Sequence, residues 1–196
     1  MDENTLVRER LRSAGLCVDS VYDLVNRRID YRSAIAVLVG LLGEVREPRL
    51  KEGIVRALTT RWAVGLANRA MLSEFEANEA NTPIDASVKW AIGNAISEIA
   101  ETNDLDTVER LIKNTKHGKA RQMLAMALAR IGGERAEDIL LKVANDSDMT
   151  GHCIIALGRM KSRRALGVLR VLERSDNAWW RKEARSAIKE IGRSAR

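Results

Sequence analysis

The sequence predicts an all-α fold built from about five helical hairpins, and three observations support this prediction. The composition combines 45% hydrophobic residues with only 4% aromatic residues, so the core must consist mainly of Ala, Leu, Ile and Val, a palette that suits helices. Only two prolines occur in 196 residues. A pattern of apolar residues recurs five times, with the length of one helical hairpin between recurrences.

The recurring pattern is a twelve-residue segment whose eighth position is always alanine. These alanines are Ala57, Ala95, Ala127, Ala156 and Ala187, with spacings of 38, 32, 29 and 31 residues. The longest spacing contains a polar insert at residues 76–85, which predicts a loop. Positions 1, 5, 8 and 12 fall on one helical stripe, so each segment is predicted to be a helix with one core-facing side.

The remaining helices are expected before and between these segments. The second helices of the hairpins are predicted near residues 32–45, 64–78, 104–113, 134–144 and 163–173. Upstream, residues 3–14 and 18–29 predict two more helices, separated by Gly15 as a C-terminal cap. We therefore expect an N-terminal helical cap over residues 1–31 and one continuous repeat array over residues 32–196.

The pattern resembles HEAT repeats, and more narrowly the short repeats also found in phycobilisome-lyase-like proteins. The segments that carry the resemblance are Val88-Lys89…Ala95-Ile96…Ile99, Ala120-Arg121…Ala127-Leu128…Ile131-Gly132 and Trp180-Arg181…Ala187-Ile188…Ile191-Gly192. The resemblance covers about residues 32–192. It implies a right-handed α-solenoid of about five HEAT-like hairpins, whose five pattern helices line the concave face. It leaves function open, because such arrays scaffold proteins, bind nucleic acid and occasionally catalyse reactions.

The concave face offers candidates for partner binding. If position 8 faces the core, positions 3, 7 and 10 point away from it. The predicted surface is then polar near Trp90, apolar near Met126 and Ile155, and basic in the last repeat. Trp180 takes a core position, which leaves Trp179 available to a partner. The candidates are Trp90, Met126, Ile155, Trp179, Arg181, Lys182, Arg185 and Lys189. For Met126 and Ile155, packing between neighbouring helices is the alternative interpretation.

The net charge of +6 is concentrated at one end of the chain. Residues 159–196 hold twelve Lys or Arg and four Asp or Glu, whereas the other 158 residues sum to −2. A basic lobe on a nearly neutral body favours an acidic partner, which can be a protein, a nucleic acid or another anionic surface. A solvated helix face is the alternative interpretation of the same charges.

Position 2 of the pattern is basic in four copies, at Lys51, Lys89, Arg121 and Arg181, with Thr150 as the exception. Such a column can be interpreted as a ladder for phosphates. The HEAT resemblance instead implies a structural role, in which each basic residue bonds an acidic turn residue of a neighbouring hairpin. Residues in suitable turns are Asp85, Asp148 and Asp176.

The sequence contains no motif that predicts catalysis, a cofactor or a metal site. His152 and Cys153 are adjacent on a helix and point about 100° apart, so they are poorly placed to chelate one metal. His117 lies in a turn signature, and no phosphate-binding loop occurs. The polar N-terminus and the widely spaced cysteines, Cys17 and Cys153, lead us to expect free thiols in the cytoplasm.

We therefore expect a non-enzymatic scaffold or adaptor that binds a protein or peptide in its concave face, with the basic C-terminal repeat as the anchor for an acidic partner. One alternative is a nucleic-acid-binding protein with a groove like that of HEAT-like DNA glycosylases. Another is a lyase-type ligand chaperone, in which a pocket would open at the small residues Gly151 and Gly158. The last repeat lacks a capping helix, which leaves self-association through its edge as a further possibility.

Overall fold

A computed structural model describes residues 2–193, and every regular element within that range is helical. The α-helices are α1 (Glu3–Ser13), α2 (Tyr22–Asn26), α3 (Ile35–Glu44), α4 (Pro48–Leu58), α5 (Asn68–Ala77), α6 (Pro83–Ile99), α7 (Leu105–Lys113), α8 (Arg121–Ile131), α9 (Gly133–Val143), α10 (Thr150–Arg159), α11 (Leu166–Leu172) and α12 (Ala178–Arg193). Short 3-10 turns stand before α3, α5, α7 and α8. The prediction of an all-α fold is confirmed for the described residues.

The chain forms two compact units, Met1–Glu101 and Thr102–Arg196. In the first unit α4 packs against α3 and α6, and α5 packs against α3 and α6. In the second unit α10 packs against α8 and α12, while α9 packs against α7 and α8. The five pattern segments lie on α4, α6, α8, α10 and α12, and their alanines at position 8 are all buried.

Local sequence signals explain where several helices begin and end. Pro48 and Pro83 occupy the first turns of α4 and α6, where no intrahelical N–H donor is needed. The preceding caps are Glu47, which accepts from two backbone amides of α4, and Thr82, which accepts from one amide of α6. After α1, Gly15 takes a φ of +86°, so the predicted glycine cap is confirmed.

Two predicted elements differ from the structure. The helix expected at 18–29 is limited to Tyr22–Asn26, because the Asp23 carboxylate accepts from the amides of Asp19 and Ser20 and holds them in a turn. The loop predicted at 76–85 is shorter in the structure and covers residues 78–82, since α5 continues to Ala77 and α6 begins at Pro83.

The division of the chain at residue 31 stays a prediction. In the structure α1 packs against α3, and α2 packs against α4.

Candidate partner-binding surface

The exposed side of α12 carries several basic residues. Asn177 begins the helix by accepting hydrogen bonds from the amides of Trp179 and Trp180. Ala184, Ala187 and Ile191 are buried, so one side of the helix faces the core of the unit. The opposite side exposes a stripe of cations formed by Lys182, Arg185 and Lys189.

These cations have no strong carboxylate partner within residues 2–193. Arg185 and Lys189 form no ion pair there, and Lys182 approaches Glu183 only at 3.7 Å with 81% of its side chain exposed. Such an exposed pair contributes little to stability. The positive charge of α12 is therefore directed to solvent.

Two arginines outside α12, Arg135 and Arg164, form close ion pairs, in contrast to the exposed cations of α12. Arg135, on α9, bonds Asp106 and Glu109 of α7 at 2.6 Å each. Arg164, just before α11, bonds Glu137 and Asp138 of α9 at 3.0 and 2.6 Å. The two arginines are 29 residues apart, so they make equivalent contacts in successive repeats.

The position-2 side chains bond groups within the protein, although not the aspartates that the resemblance led us to expect. Arg121 is only 4% exposed, and its guanidinium bonds the Ile112 carbonyl at 3.2 Å and the Asp146 carboxylate at 2.7 Å. Lys89 is fully buried and donates to the carbonyl of Asn78 at the end of α5. Burial lowers the pKa of Lys89, because desolvation disfavours its charged form. A cation at a helix C-terminus also complements the dipole of that helix.

The same role extends to the other copies of position 2. Lys51 forms an ion pair with Glu74 of α5, and both side chains are largely buried. Thr150 substitutes for a cation by donating its hydroxyl to the Ala144 carbonyl at 2.8 Å. Arg181 donates to the carbonyls of Ser175 and Asp176 at 2.6 and 2.9 Å. The guanidinium of Arg181 is thus engaged by its own turn and contributes less to the exposed face than predicted.

The expected carboxylate acceptors are not the ones used. The Asp85 carboxylate accepts from the Thr82 hydroxyl in the cap of α6. Asp148 accepts through its carbonyl, from Gln122, and Asp176 also accepts through its carbonyl. Asp148 and Asp176 lie outside the helices as predicted, whereas Asp85 lies in the first turn of α6.

Trp179 lies at the start of the basic stripe and packs across α10. Its indole is 42% exposed and meets the ring of His152 edge-to-face, with centroids 5.4 Å apart. It also fills the space beside Gly151, while Ala187 lies against Gly158. Trp180 is half-buried, in line with its core position. Gly151, where the ligand-chaperone alternative expects a pocket, is instead covered by the indole of Trp179, and Gly158 allows close approach of α10 and α12.

A cleft of about 200 Å³ runs between α10 and α12 beside the basic stripe. Its lining includes Ile155, Gly158 and Arg159 of α10 and Glu183, Ala187 and Glu190 of α12. Ile155 is half-buried and forms part of this accessible lining. The cleft thus has an apolar floor and two carboxylates on the α12 side. The sequence did not predict this arrangement, because the basic residues of α12 alone indicated the binding surface.

Trp90 and Met126 have different environments. Trp90 lies on α6 in the first unit and is 46% exposed, as its register predicts. Met126 lies on α8 in the second unit and is only 8% exposed, which corresponds to the packing alternative. Met126 accordingly offers little surface to a partner.

The first unit contains a larger cavity, of about 560 Å³, that the sequence did not indicate. Its lining includes Glu3 of α1, Tyr22 of α2, and Glu47 and Leu50 at the start of α4. The Glu3 carboxylate accepts from the amides of Glu47 and Arg46, and these hydrogen bonds lower its pKa. Glu47 is therefore the N-cap of α4, and Glu3 binds the two backbone amides just before that helix, at the edge of this cavity.

The histidine and cysteine side chains have contrasting environments in the described part of the chain. Burial lowers the pKa of His152 and raises the pKa of Cys153 to about 12. Cys17 is exposed. Among residues 2–193 no group of three His, Cys, Asp or Glu side chains is placed to hold a metal ion, and no helix has the length and apolar character needed to cross a membrane.

Comparison with protein-family models, curated proteins and solved structures finds no match for this chain.

Proposed function

We propose that this protein is a right-handed HEAT-like α-solenoid of about five hairpins that acts as a non-enzymatic scaffold or adaptor and binds an acidic protein partner. The repeat architecture is supported by the five buried alanines and by the equivalent contacts of Arg135 and Arg164. The position-2 hydrogen bonds to helix ends support it as well. Extended helical arrays of this kind present surfaces suited to protein binding.

One observation carries the proposed binding surface: Lys182, Arg185 and Lys189 of α12 have no close carboxylate partner among residues 2–193, in contrast to Arg135 and Arg164. Arg135 and Arg164 each satisfy two carboxylates of the preceding repeat. Lys182, Arg185 and Lys189 face solvent beside the exposed indole of Trp179. A half-exposed tryptophan next to uncompensated charge is typical of a binding surface, because the indole supplies contact area and the charges steer the partner.

Affinity capture from native lysate tests this proposal. We would compare the wild-type protein with the Lys182→Glu/Arg185→Glu/Lys189→Glu variant, with and without nuclease. A matched control, Arg163→Glu/Arg170→Glu/Arg174→Glu, changes the net charge equally on other exposed positions of the same unit. We expect a protein that survives nuclease, is lost with the α12 variant and is retained by the control. Retention by the α12 variant would contradict the proposed surface.

Nucleic-acid binding is the second candidate function, and the position of Trp179 one turn before Lys182 favours it. Aromatic side chains next to cations provide stacking platforms for single-stranded nucleic acid. This function predicts that nuclease abolishes capture and that affinity falls steeply with salt. Capture of nucleic acid alone would replace the scaffold proposal with this one.

A further inference from the structure

We propose that the cleft between α10 and α12 receives one lysine or arginine side chain of the partner, so that the bound segment is acidic with a single basic anchor. This inference rests on the proposed function, because it names the chemistry of a protein partner bound at the same face. It assigns a role to Glu183 and Glu190, which the basic stripe alone leaves unexplained.

The cleft has the shape and lining that a long basic side chain requires. Its floor is formed by Ile155, Gly158 and Ala187, against which an aliphatic stem can pack. Glu183 and Glu190 stand along the α12 side, seven residues and therefore about 10 Å apart on the helix. A positively charged head group that enters the cleft between Glu183 and Glu190 would have a carboxylate on each side.

Gly158 forms the part of the floor at which α10 and α12 approach closely. A Cβ at Gly158 would lie 2.8 Å from the Cβ of Ala187 and 3.6 Å from Oε2 of Glu190. The Glu190 carboxylate is therefore directed across the glycine and into the cleft, rather than away from α10. On the α12 side, a carboxylate oxygen of Glu190 therefore faces the backbone of Gly158.

The two kinds of charge form adjacent columns along α12. Glu183 and Glu190 directly follow Lys182 and Lys189 in the sequence, so each carboxylate column lies about 100° around the helix from a cation column. Arg159 stands at the α10 side of the cleft. A partner that complements this face must present acidic groups to the lysines and a basic group to the glutamates.

This pattern favours a protein segment over a polyanion. A phosphate backbone that follows Lys182 and Lys189 would lie within a few ångströms of Glu183 and Glu190, and repulsion at that distance offsets part of the attraction. A peptide can alternate its charges and avoid this cost. Charge complementarity of this kind determines which partners bind and which are rejected.

Selection from a phage-displayed library of random dodecapeptides tests the inference on the full-length protein. The targets are the wild-type protein and the Glu183→Gln/Glu190→Gln variant. A matched control, Glu134→Gln/Glu173→Gln, removes two carboxylates elsewhere in the same unit. Circular dichroism verifies that the three proteins have the same helix content.

We expect the wild type and the control to enrich acidic peptides that contain one Lys or Arg, and the cleft variant to enrich acidic peptides without this preference. Replacing the basic residue of an enriched peptide by norleucine should weaken binding to the wild type about tenfold and leave binding to the cleft variant unchanged. Fluorescence anisotropy of labelled peptides measures both affinities.

The outcomes separate the two proposals. Enrichment of acidic peptides with no preference for Lys or Arg overturns the cleft assignment and leaves the scaffold proposal standing. Enrichment of basic peptides that is equal on the wild type and the cleft variant also overturns the cleft assignment. The absence of any acidic enrichment on the wild type overturns the proposed acidic partner itself.

Discussion

Trp179 occupies the space that a side chain at Gly151 would need. An ideal Cβ at Gly151 would lie 2.0 Å from Cζ3 and 2.3 Å from Cη2 of the indole. The backbone of α10 and the ring of Trp179 are therefore in direct contact at the first turn of α12. This contact fixes the start of the helix that carries Lys182, Arg185 and Lys189.

Substitution of Gly151 by alanine should destabilise the protein. The added methyl group overlaps the indole of Trp179, and overpacking of this kind costs about 1–3 kcal/mol. Urea unfolding followed by circular dichroism gives the free energy. Gly167→Ala is the control, because no atom lies within 4 Å of a Cβ there and alanine favours its helix, α11. A Gly151→Ala protein as stable as the Gly167→Ala protein would contradict the packing described.

Removal of the Arg121 guanidinium should lower stability more than removal of a surface cation. Arg121→Met leaves the Ile112 carbonyl and the Asp146 carboxylate without their donor, which costs about 1–3 kcal/mol at neutral pH. Arg164→Met, at an exposed ion pair, should cost about 0–1 kcal/mol. Chemical unfolding of both variants measures the difference, and equal losses would count against a buried role for Arg121.

The Arg121 contribution should also depend on pH. The hydrogen bond from Arg121 holds the pKa of Asp146 below its ordinary value of 3.8. A depressed carboxyl pKa stabilises the folded state above the unfolded pKa, and this stability is lost as pH falls through the folded pKa. The stability difference between wild type and Arg121→Met should therefore narrow below pH 3.8. A constant difference across that range would exclude the linkage.

His152 should make stability decline in mild acid. Burial lowers the pKa of His152 from its ordinary 6.5, and its Nδ1 is buried with no hydrogen-bond partner in the described structure. The unfolded chain therefore takes up a proton at higher pH than the folded protein, and stability is lost as pH falls from 6.5 through the folded pKa. NMR titration of the ring protons measures this pKa, with His117→Gln used for assignment. An unshifted titration would contradict the burial.

The two cysteines should react at very different rates. Cys17 is exposed, whereas Cys153 is buried with its pKa raised to about 12 by desolvation, so little reactive thiolate is present. Ellman's reagent should label one thiol rapidly in the folded protein and both in denaturant. In Cys17→Ser the fast phase should disappear. Rapid labelling of that variant would show that Cys153 is accessible.

The sequence predicted the helices well where its periodicity was strong. The buried alanines from Ala57 to Ala187 fix the core-facing side of each pattern helix, because apolar spacing reports directly which side is buried. The short α2 was not predicted, since its limits depend on one side-chain contact, that of Asp23 with the preceding turn. The spacing of apolar residues does not report whether a side chain binds the backbone amides that a helix would otherwise use.

The candidate surface was predicted less completely than the fold. The exposure of Trp179, Lys182 and Lys189 followed from helical register. The engagement of Arg181 by carbonyl groups did not, because acceptors on a turn have no residue signature. The cleft with Glu183 also needed the structure, since it arises from the distance between two helices.

The ion pairs of Arg135 and Arg164 have a consequence for how this chain can change in length. Each joins residues 26 apart, Arg135 to Glu109 and Arg164 to Asp138. Excision of the intervening 29-residue period would set Arg164 at the same separation from Glu109. Loss of this one period would therefore leave Arg164 with a carboxylate partner at the separation that Arg135 now has.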